Sequence, residues 1–153
     1  RIWSKSEISG GSNAIKYSID ELIGKLAETD KVRDQLRTLR QIKFWNHKLF
    51  AQYMREGNQE NASEAMELLD EYDHWSEEII NESGYEIKKQ QVNGQRQLVI
   101  NLEKTIRKWK WHTKDLAKGR EKLQIAEGYF KNKKYALADE YYYSAWLHLS
   151  KVF

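Results

Sequence analysis

The stretch that decides the fold runs from residue 123 to residue 149 and consists of two apolar segments joined by a basic turn. The first segment reads LQIAEGYF (123–130), the turn reads KNKK (131–134), and the second segment reads YALADEYYYSAWLHL (135–149). Apolar residues recur at helical spacing in both segments. The sequence therefore predicts two antiparallel helices around a tight turn.

The two segments alternate small residues, where helix backbones must approach closely, with large rings that fill the gaps. The small residues are Ala126, Ala138 and Ala145, and the rings are Tyr129, Tyr135 and Tyr142. Over residues 119–152 this spacing resembles one tetratricopeptide repeat, although Lys122 stands where the repeat has tryptophan and Ser150 where it has proline. The resemblance implies one degenerate helical hairpin and its packing mode, without implying an activity.

Apolar stripes with helical spacing also run through residues 15–53 and 62–79, and proline is absent from the chain. Ser12 or Asn13 can cap the first helix, and Thr29-Asp30 either restarts it or lies on a polar turn of one long helix. Gly57 ends this region, and Asn61 with Glu64 forms a variant capping box for the next helix. We therefore expect an all-α antiparallel bundle of four to five helices, with a flexible lead-in over 1–12 and a single domain over 13–153.

Two structures compete for residues 85–102. Asn93-Gly94 favours a two-residue β-hairpin turn, in which Ile87 faces Ile100 and most apolar residues fall on one side. The alternative is a helix, because Leu98 and Leu102 continue into a helical stripe. A seven-residue repeat then predicts one long helix through Gly119; its members are Leu102, Trp109, Leu116, Leu123 and Phe130.

Composition excludes several classes of protein. The chain has no cysteine, which removes disulfides and zinc–thiolate sites and is neutral between cellular compartments. No apolar run approaches the ~18 residues of a membrane span. The net charge is only +3, but residues 57–82 hold nine acidic and no Lys or Arg side chains, whereas residues 103–134 hold eleven basic against four acidic. The two stretches form either solvated faces of opposite sign or, in the basic stretch, a surface for phosphate or an acidic partner.

No motif predicts catalysis. Gly-rich phosphate loops, nucleophile elbows and zinc-protease motifs are absent. Glu71 and His74 have the Glu-x-x-His spacing of di-iron bundles, which need a second copy that this chain lacks. We therefore expect no enzyme activity, metal or cofactor.

The aromatic residues favour binding instead. Two tryptophans only two positions apart, such as Trp109 and Trp111, cannot both face one core from a helix, so some rings must meet a second surface or pack among several helices. The expected contact residues are Trp111, Tyr141, Tyr143 and Trp146, with Lys108 and Lys110 setting the charge preference.

The sequence therefore predicts a non-enzymatic helical protein-interaction or assembly module, part of a longer protein, that binds a protein partner or a second copy of itself. Two alternatives remain open. The basic stretch 103–134, where lysines alternate with tryptophans, is also typical of single-strand nucleic-acid binding. The long helices also suit an extracytoplasmic sensor or ligand-binding bundle.

Overall fold

Almost the whole described chain is helical. This agrees with the scarcity of glycine and the absence of proline, the two residues that destabilise helices most. The computed structural model describes residues 11–108 and 113–151. These ranges contain six α-helices: α1 (Gly11–Ala27), α2 (Val32–Arg55), α3 (Gln59–Ser83), α4 (Lys89–Lys108), α5 (Lys114–Lys131) and α6 (Tyr135–Leu149). The all-α class is confirmed, and the described ranges hold more helices than the four to five expected.

Contacts between residues divide the chain into two compact units, residues 1–75 and residues 76–153. The boundary falls within the residue range of α3. The expectation of a single domain over 13–153 stays a prediction, because a contact-defined unit need not fold as a separate domain. Of the predicted lead-in, residues 1–10 lie outside the described residues, whereas Gly11 and Ser12 begin α1.

In the first unit, α1 packs against α2 through apolar faces that the helical spacing predicted. Ile15, Leu39 and Ile42 are completely buried. Helix α1 ends at Ala27 and α2 starts at Val32, so Thr29-Asp30 separates two helices. The hydroxyl of Ser12 donates to Glu56 at 2.9 Å, which fixes the start of α1 to the end of α2.

The loop between α2 and α3 corrects the predicted cap. Gly57 has a φ of +74°, as expected of a glycine that ends a helix. The side chain of Asn58 then accepts a hydrogen bond from the backbone N–H of Asn61 at 3.1 Å. Helix α3 therefore begins two residues before Asn61, and Asn58 is the capping residue, because its side chain lies where the first free N–H groups of the helix are exposed.

The β-hairpin alternative near residues 85–100 is wrong, since Asn93 and Gly94 lie inside α4. The reason is a second apolar repeat, Val92, Val99 and Ile106, whose side chains are all completely buried. Residues seven apart share one face of a helix but alternate between faces of a strand. Only the helix buries all three together.

The long helix expected from residue 102 to residue 130 is interrupted. Helix α4 ends at Lys108, and α5 begins at Lys114. The hydroxyl of Thr113 accepts a hydrogen bond from the N–H of Leu116 at 3.0 Å and caps the new helix. A threonine cap stabilises the start of a helix by ~1 kcal/mol. The seven-residue apolar repeat runs across this position and therefore did not indicate that a new helix begins there.

Helices α5 and α6 form the antiparallel pair that their sequence predicted. Between them, Lys133 has a φ of +62°, and the N–H of Lys134 donates to the carbonyl of Tyr129 at 2.9 Å. The three small residues of the pattern are completely buried: Ala126, Ala138 and Ala145. The helices also approach closely at Gly119, because a Cβ at this position would lie 2.5 Å from Cγ of Leu149.

Helix α6 occupies the centre of the second unit. It packs along α5 and also against α4, whereas α4 and α5 approach each other closely in few places. The core contains Val99, Leu116, Tyr142 and Leu149, and Trp146 packs against it while partly exposed. Two bonds between polar side chains nevertheless join α4 to α5, Arg96 to Glu127 and Glu103 to Arg120.

Candidate interaction surface

The predicted contact residues fall into three groups. Trp111 and Lys110 lie outside the described residues. Lys108 is exposed at the end of α4, and Tyr143 and Trp146 are partly exposed on α6. The sixth residue, Tyr141, is buried.

Tyr143 and Trp146 form one aromatic pair. They lie three residues apart on α6, which puts them on the same face of the helix. Their ring centroids are 5.8 Å apart with an angle of 38° between the planes. The sequence predicted both as contact residues, and the structure places them side by side, partly exposed, on the second unit.

Tyr141 belongs to the interior of this unit, which removes it from the candidate contact surface. Its side chain is 3% exposed, and its ring lies 5.7 Å from that of Tyr129. The hydroxyl groups of both tyrosines donate to one carboxylate oxygen of Glu77. Burial and the charge of Glu77 raise the pKa of Tyr129, so its hydroxyl stays a donor at neutral pH.

A second cluster joins α4, α5 and α6 through Glu127. Arg96 donates from Nε to Oε2 of Glu127 at 2.7 Å, and Tyr142 donates its hydroxyl to the same oxygen at 2.6 Å. The guanidinium of Arg96 also lies 4.5 Å from the centre of the Phe130 ring. Each polar group therefore has a partner, and the cluster fixes the three helices in register.

The pKa values in this cluster follow from these contacts. Burial raises the pKa of Glu127, but the hydrogen bonds from Arg96 and Tyr142 outweigh it and bring that pKa below its usual value of 4.5. The hydrogen bond to Glu127 raises the pKa of Arg96. Burial and the same carboxylate raise the pKa of Tyr142. At neutral pH the cluster holds one anion, one cation and one neutral donor.

A third cluster lies between α4 and α5 around Glu103, whose side chain is only 6% exposed. Arg107 donates to both of its carboxylate oxygens, and Arg120 donates from Nε to Oε1 at 3.1 Å. These side chains, with Leu123 and Gln124, line a surface depression of about 360 Å³. The spacing of Glu103 and Arg107 is visible in the sequence as an i,i+4 pair, but no local signal links Arg120 to them.

A buried ion pair lies in the first unit. Nζ of Lys43 lies 3.0 Å from Oδ1 of Asp73, and both side chains are at most 2% exposed. One turn further along α2, the amide of Asn46 donates to the carbonyl of Ala65 at 2.6 Å. These contacts join α2 to α3, so we assign the pair a structural role.

The Glu-x-x-His residues lie on the outside of α3. Glu71 and His74 are both exposed. Di-iron sites of this kind lie inside a bundle and take their ligands from several helices that face one another. The structure therefore adds no support for a metal at this position.

Among the described residues, no helix combines the length and the apolar character needed to cross a bilayer. The chain matches no protein-family model, and no curated protein or solved structure matches it at a significant level.

Proposed function

We propose that this chain is a non-enzymatic helical protein-interaction module, and that Tyr143 and Trp146 of α6 form part of its contact surface. The observation that carries the proposal is their packing into one partly exposed ring pair. Tyrosine and tryptophan dominate the energetics of protein interfaces. Because each ring already restricts the other, ordering this pair on binding costs little further entropy.

The polar clusters support a structural role for the titratable groups. The carboxylates of Glu77, Glu127 and Glu103 each bond to side chains on neighbouring helices of the second unit. A catalytic acid or base needs a substrate proton within hydrogen-bond reach. Groups that bond to one another across helices instead stabilise the scaffold that presents α6.

The α5–α6 pair supports a packing mode like that of one tetratricopeptide hairpin. Three buried alanines let the helices approach, and the buried Tyr142 of α6 donates its hydroxyl to Glu127 of α5. We propose that this hairpin is the element that carries the contact surface.

The nucleic-acid alternative has less support. Arg107 and Arg120 already bond to Glu103, and Lys122 is 4% exposed, with its Nζ 5.7 Å from the centre of the Tyr141 ring. Glu103 cancels one of the two arginine charges and Lys122 is buried, so fewer net positive charges remain for a phosphate backbone, whose binding depends on many contacts. Within the part of the chain that the structure describes, no contact favours the sensor alternative.

The proposal is tested by replacing Tyr143 with a photo-crosslinking phenylalanine analogue in the natural host of the protein. We expect one discrete covalent product, either with a second copy of this chain or with one other protein. Light scattering after size-exclusion chromatography at low and high salt then identifies self-association. The same analogue at Tyr17, which is 67% exposed on α1, is the matched control.

The energetic test uses Tyr143→Ala. Binding of the captured partner should weaken by ~2 kcal/mol or more, as expected for an interface anchor. The melting temperature should change little, since the ring is only partly buried. Absence of any specific product at position 143, or equal products at positions 143 and 17, contradicts the proposed surface.

A further inference from the structure

The depression around Glu103 has the features of an anion site. Its lining contains two guanidinium groups and one carboxylate, which leaves one net positive charge in a space of about 360 Å³. Small-molecule pockets start at about 300 Å³, so this volume admits a small ligand or a single side chain.

Glu103 orients both guanidinium groups and uses only some of their N–H donors. A guanidinium carries five N–H donors. Arg107 uses Nε and Nη2 toward Glu103, and Arg120 uses Nε alone. Within residues 11–108 and 113–151, neither Nη1 atom, nor Nη2 of Arg120, donates to another residue.

The remaining donors select the class of ligand. One arginine can satisfy a carboxylate, whereas a phosphate monoester has three terminal oxygens and up to two charges and can accept from both guanidinium groups. The two arginines stand on different helices, Arg107 on α4 and Arg120 on α5, so one phosphate between them would be bonded from both sides. Leu123 and Gln124 add an apolar and an amide contact for the group attached to the phosphate.

We propose that Arg107 and Arg120 form a binding site for a phosphate monoester, with Glu103 as the positioning residue. Exposed arginines lose side-chain entropy when they clamp a ligand. The bonds to the buried carboxylate restrict them before the ligand arrives. The proposal is independent of the aromatic contact surface on α6.

The first experiment uses the whole chain, labelled with ¹⁵N, and inorganic phosphate as the probe. We expect saturable shifts of the Nε–H resonances of Arg107 and Arg120, while that of Arg37, an exposed arginine paired with Asp34, stays unchanged. Sodium chloride at the same ionic strength should reproduce none of these shifts. Equal shifts with chloride, or no saturation with phosphate, overturn the site.

Variants test the two forks by calorimetry. Arg120→Gln and Arg107→Gln should each weaken phosphate binding by about tenfold or more, because each removes charge-assisted hydrogen bonds. Arg107→Lys keeps the charge but cannot bond to Glu103 and to the phosphate through separate N–H groups of one planar side chain, so it should also weaken binding. Arg37→Gln removes one positive charge elsewhere and should leave the affinity unchanged; an equal loss in this variant overturns the proposal. If a variant fails to fold, the Nε–H shifts of the unmodified protein with phosphate still test whether the site binds.

Two sources of the phosphate are distinguished by comparing O-phosphoserine with short phosphoserine peptides and their unphosphorylated counterparts. Tighter binding of a phosphopeptide than of O-phosphoserine indicates a phosphorylated protein. Equal binding indicates a small phosphate ester. Binding of the unphosphorylated peptide as strong as that of its phosphorylated form overturns the proposed recognition.

Discussion

Glu127 shows how one residue ties the stability of the second unit to pH. Its carboxylate accepts hydrogen bonds from Arg96 and Tyr142, which lower its pKa in the folded state. In the unfolded chain those partners are lost, and the carboxylate binds protons more readily. The unfolded state therefore gains protons first as the pH falls, and stability declines with it.

We expect Glu127→Gln to test this linkage. At neutral pH the variant should be less stable by about 1 kcal/mol, a modest value because the carboxylate is 34% exposed and partly screened. The difference should shrink as the pH falls from the usual value of 4.5 through the lower folded pKa, because protonation removes the same contacts from the natural protein. Urea unfolding at a series of pH values measures it.

The control for this prediction is Glu121→Gln. Glu121 is 57% exposed and lies 3.6 Å from Lys118, a surface pair that contributes little. Its replacement should change the free energy of unfolding at neutral pH by only a few tenths of a kcal/mol, roughly what an exposed pair contributes. A Glu127→Gln difference that stays constant down to strongly acidic pH would contradict the assignment.

At the scale of helices, two glycines make a matched test of packing. Gly94 lies in α4 with open space where a Cβ would stand, whereas Gly119 lies in α5 against Leu149. Gly94→Ala should stabilise the protein by roughly 0.5–1 kcal/mol, because alanine has the higher helix propensity. Gly119→Ala gains the same propensity but forces a buried leucine to move, so it should destabilise by about 1–3 kcal/mol.

Thermal or urea unfolding of the two variants measures the contrast. The sign matters more than the size, since both substitutions add one methyl group to a helix. Stabilisation by both substitutions would mean that α5 and α6 can move apart slightly at no cost in free energy. The close approach at Gly119 would then not contribute to stability.

Periodicity in the sequence predicted the helices, but not every boundary between them. The α5–α6 pair followed from Ala126, Ala138 and Ala145, which are buried as their small size indicates. The break before α5 was missed because a seven-residue apolar repeat continues across it, whereas the cap at Thr113 acts through a single hydrogen bond. An apolar repeat indicates which face of a helix is buried, but it does not indicate where the helix ends.

The candidate site was less predictable for a similar reason. Tyr143 and Trp146 share a helix face that spacing alone defines, so the sequence could pair them. Arg120 and Glu103 lie seventeen positions apart and meet only because α4 and α5 are neighbours. Tyr141 was expected at the surface, yet its hydroxyl bonds to Glu77, a residue 64 positions away. Contacts between helices of this kind depend on packing that no local pattern contains.

For the molecule as a whole, the formal charge overstates the attraction for nucleic acid. Residues 103–134 hold eleven basic side chains, but Arg107 and Arg120 bond to Glu103, and Lys122 is buried. We expect weak binding of single-stranded DNA with a shallow dependence on salt, since each phosphate contact contributes about 0.7 to the log–log slope.

Fluorescence anisotropy of a labelled oligonucleotide at several salt concentrations measures this slope. A value matching one or two phosphate contacts agrees with an isolated anion site and argues against a basic track. A slope equivalent to six or more contacts would favour the nucleic-acid alternative over the interaction module. Substituting Arg107 and Arg120 together should remove most of whatever slope is observed.

The approach of Gly119 to Leu149 also has a consequence for how this sequence can change over time. The two positions share one fixed volume, so a side chain gained at residue 119 must be offset by atoms lost at residue 149. Descendants of this chain that carry alanine at the first position should carry valine or alanine at the second. The two positions would then vary together, and in an alignment of related sequences this correlated change would identify the close approach of α5 and α6.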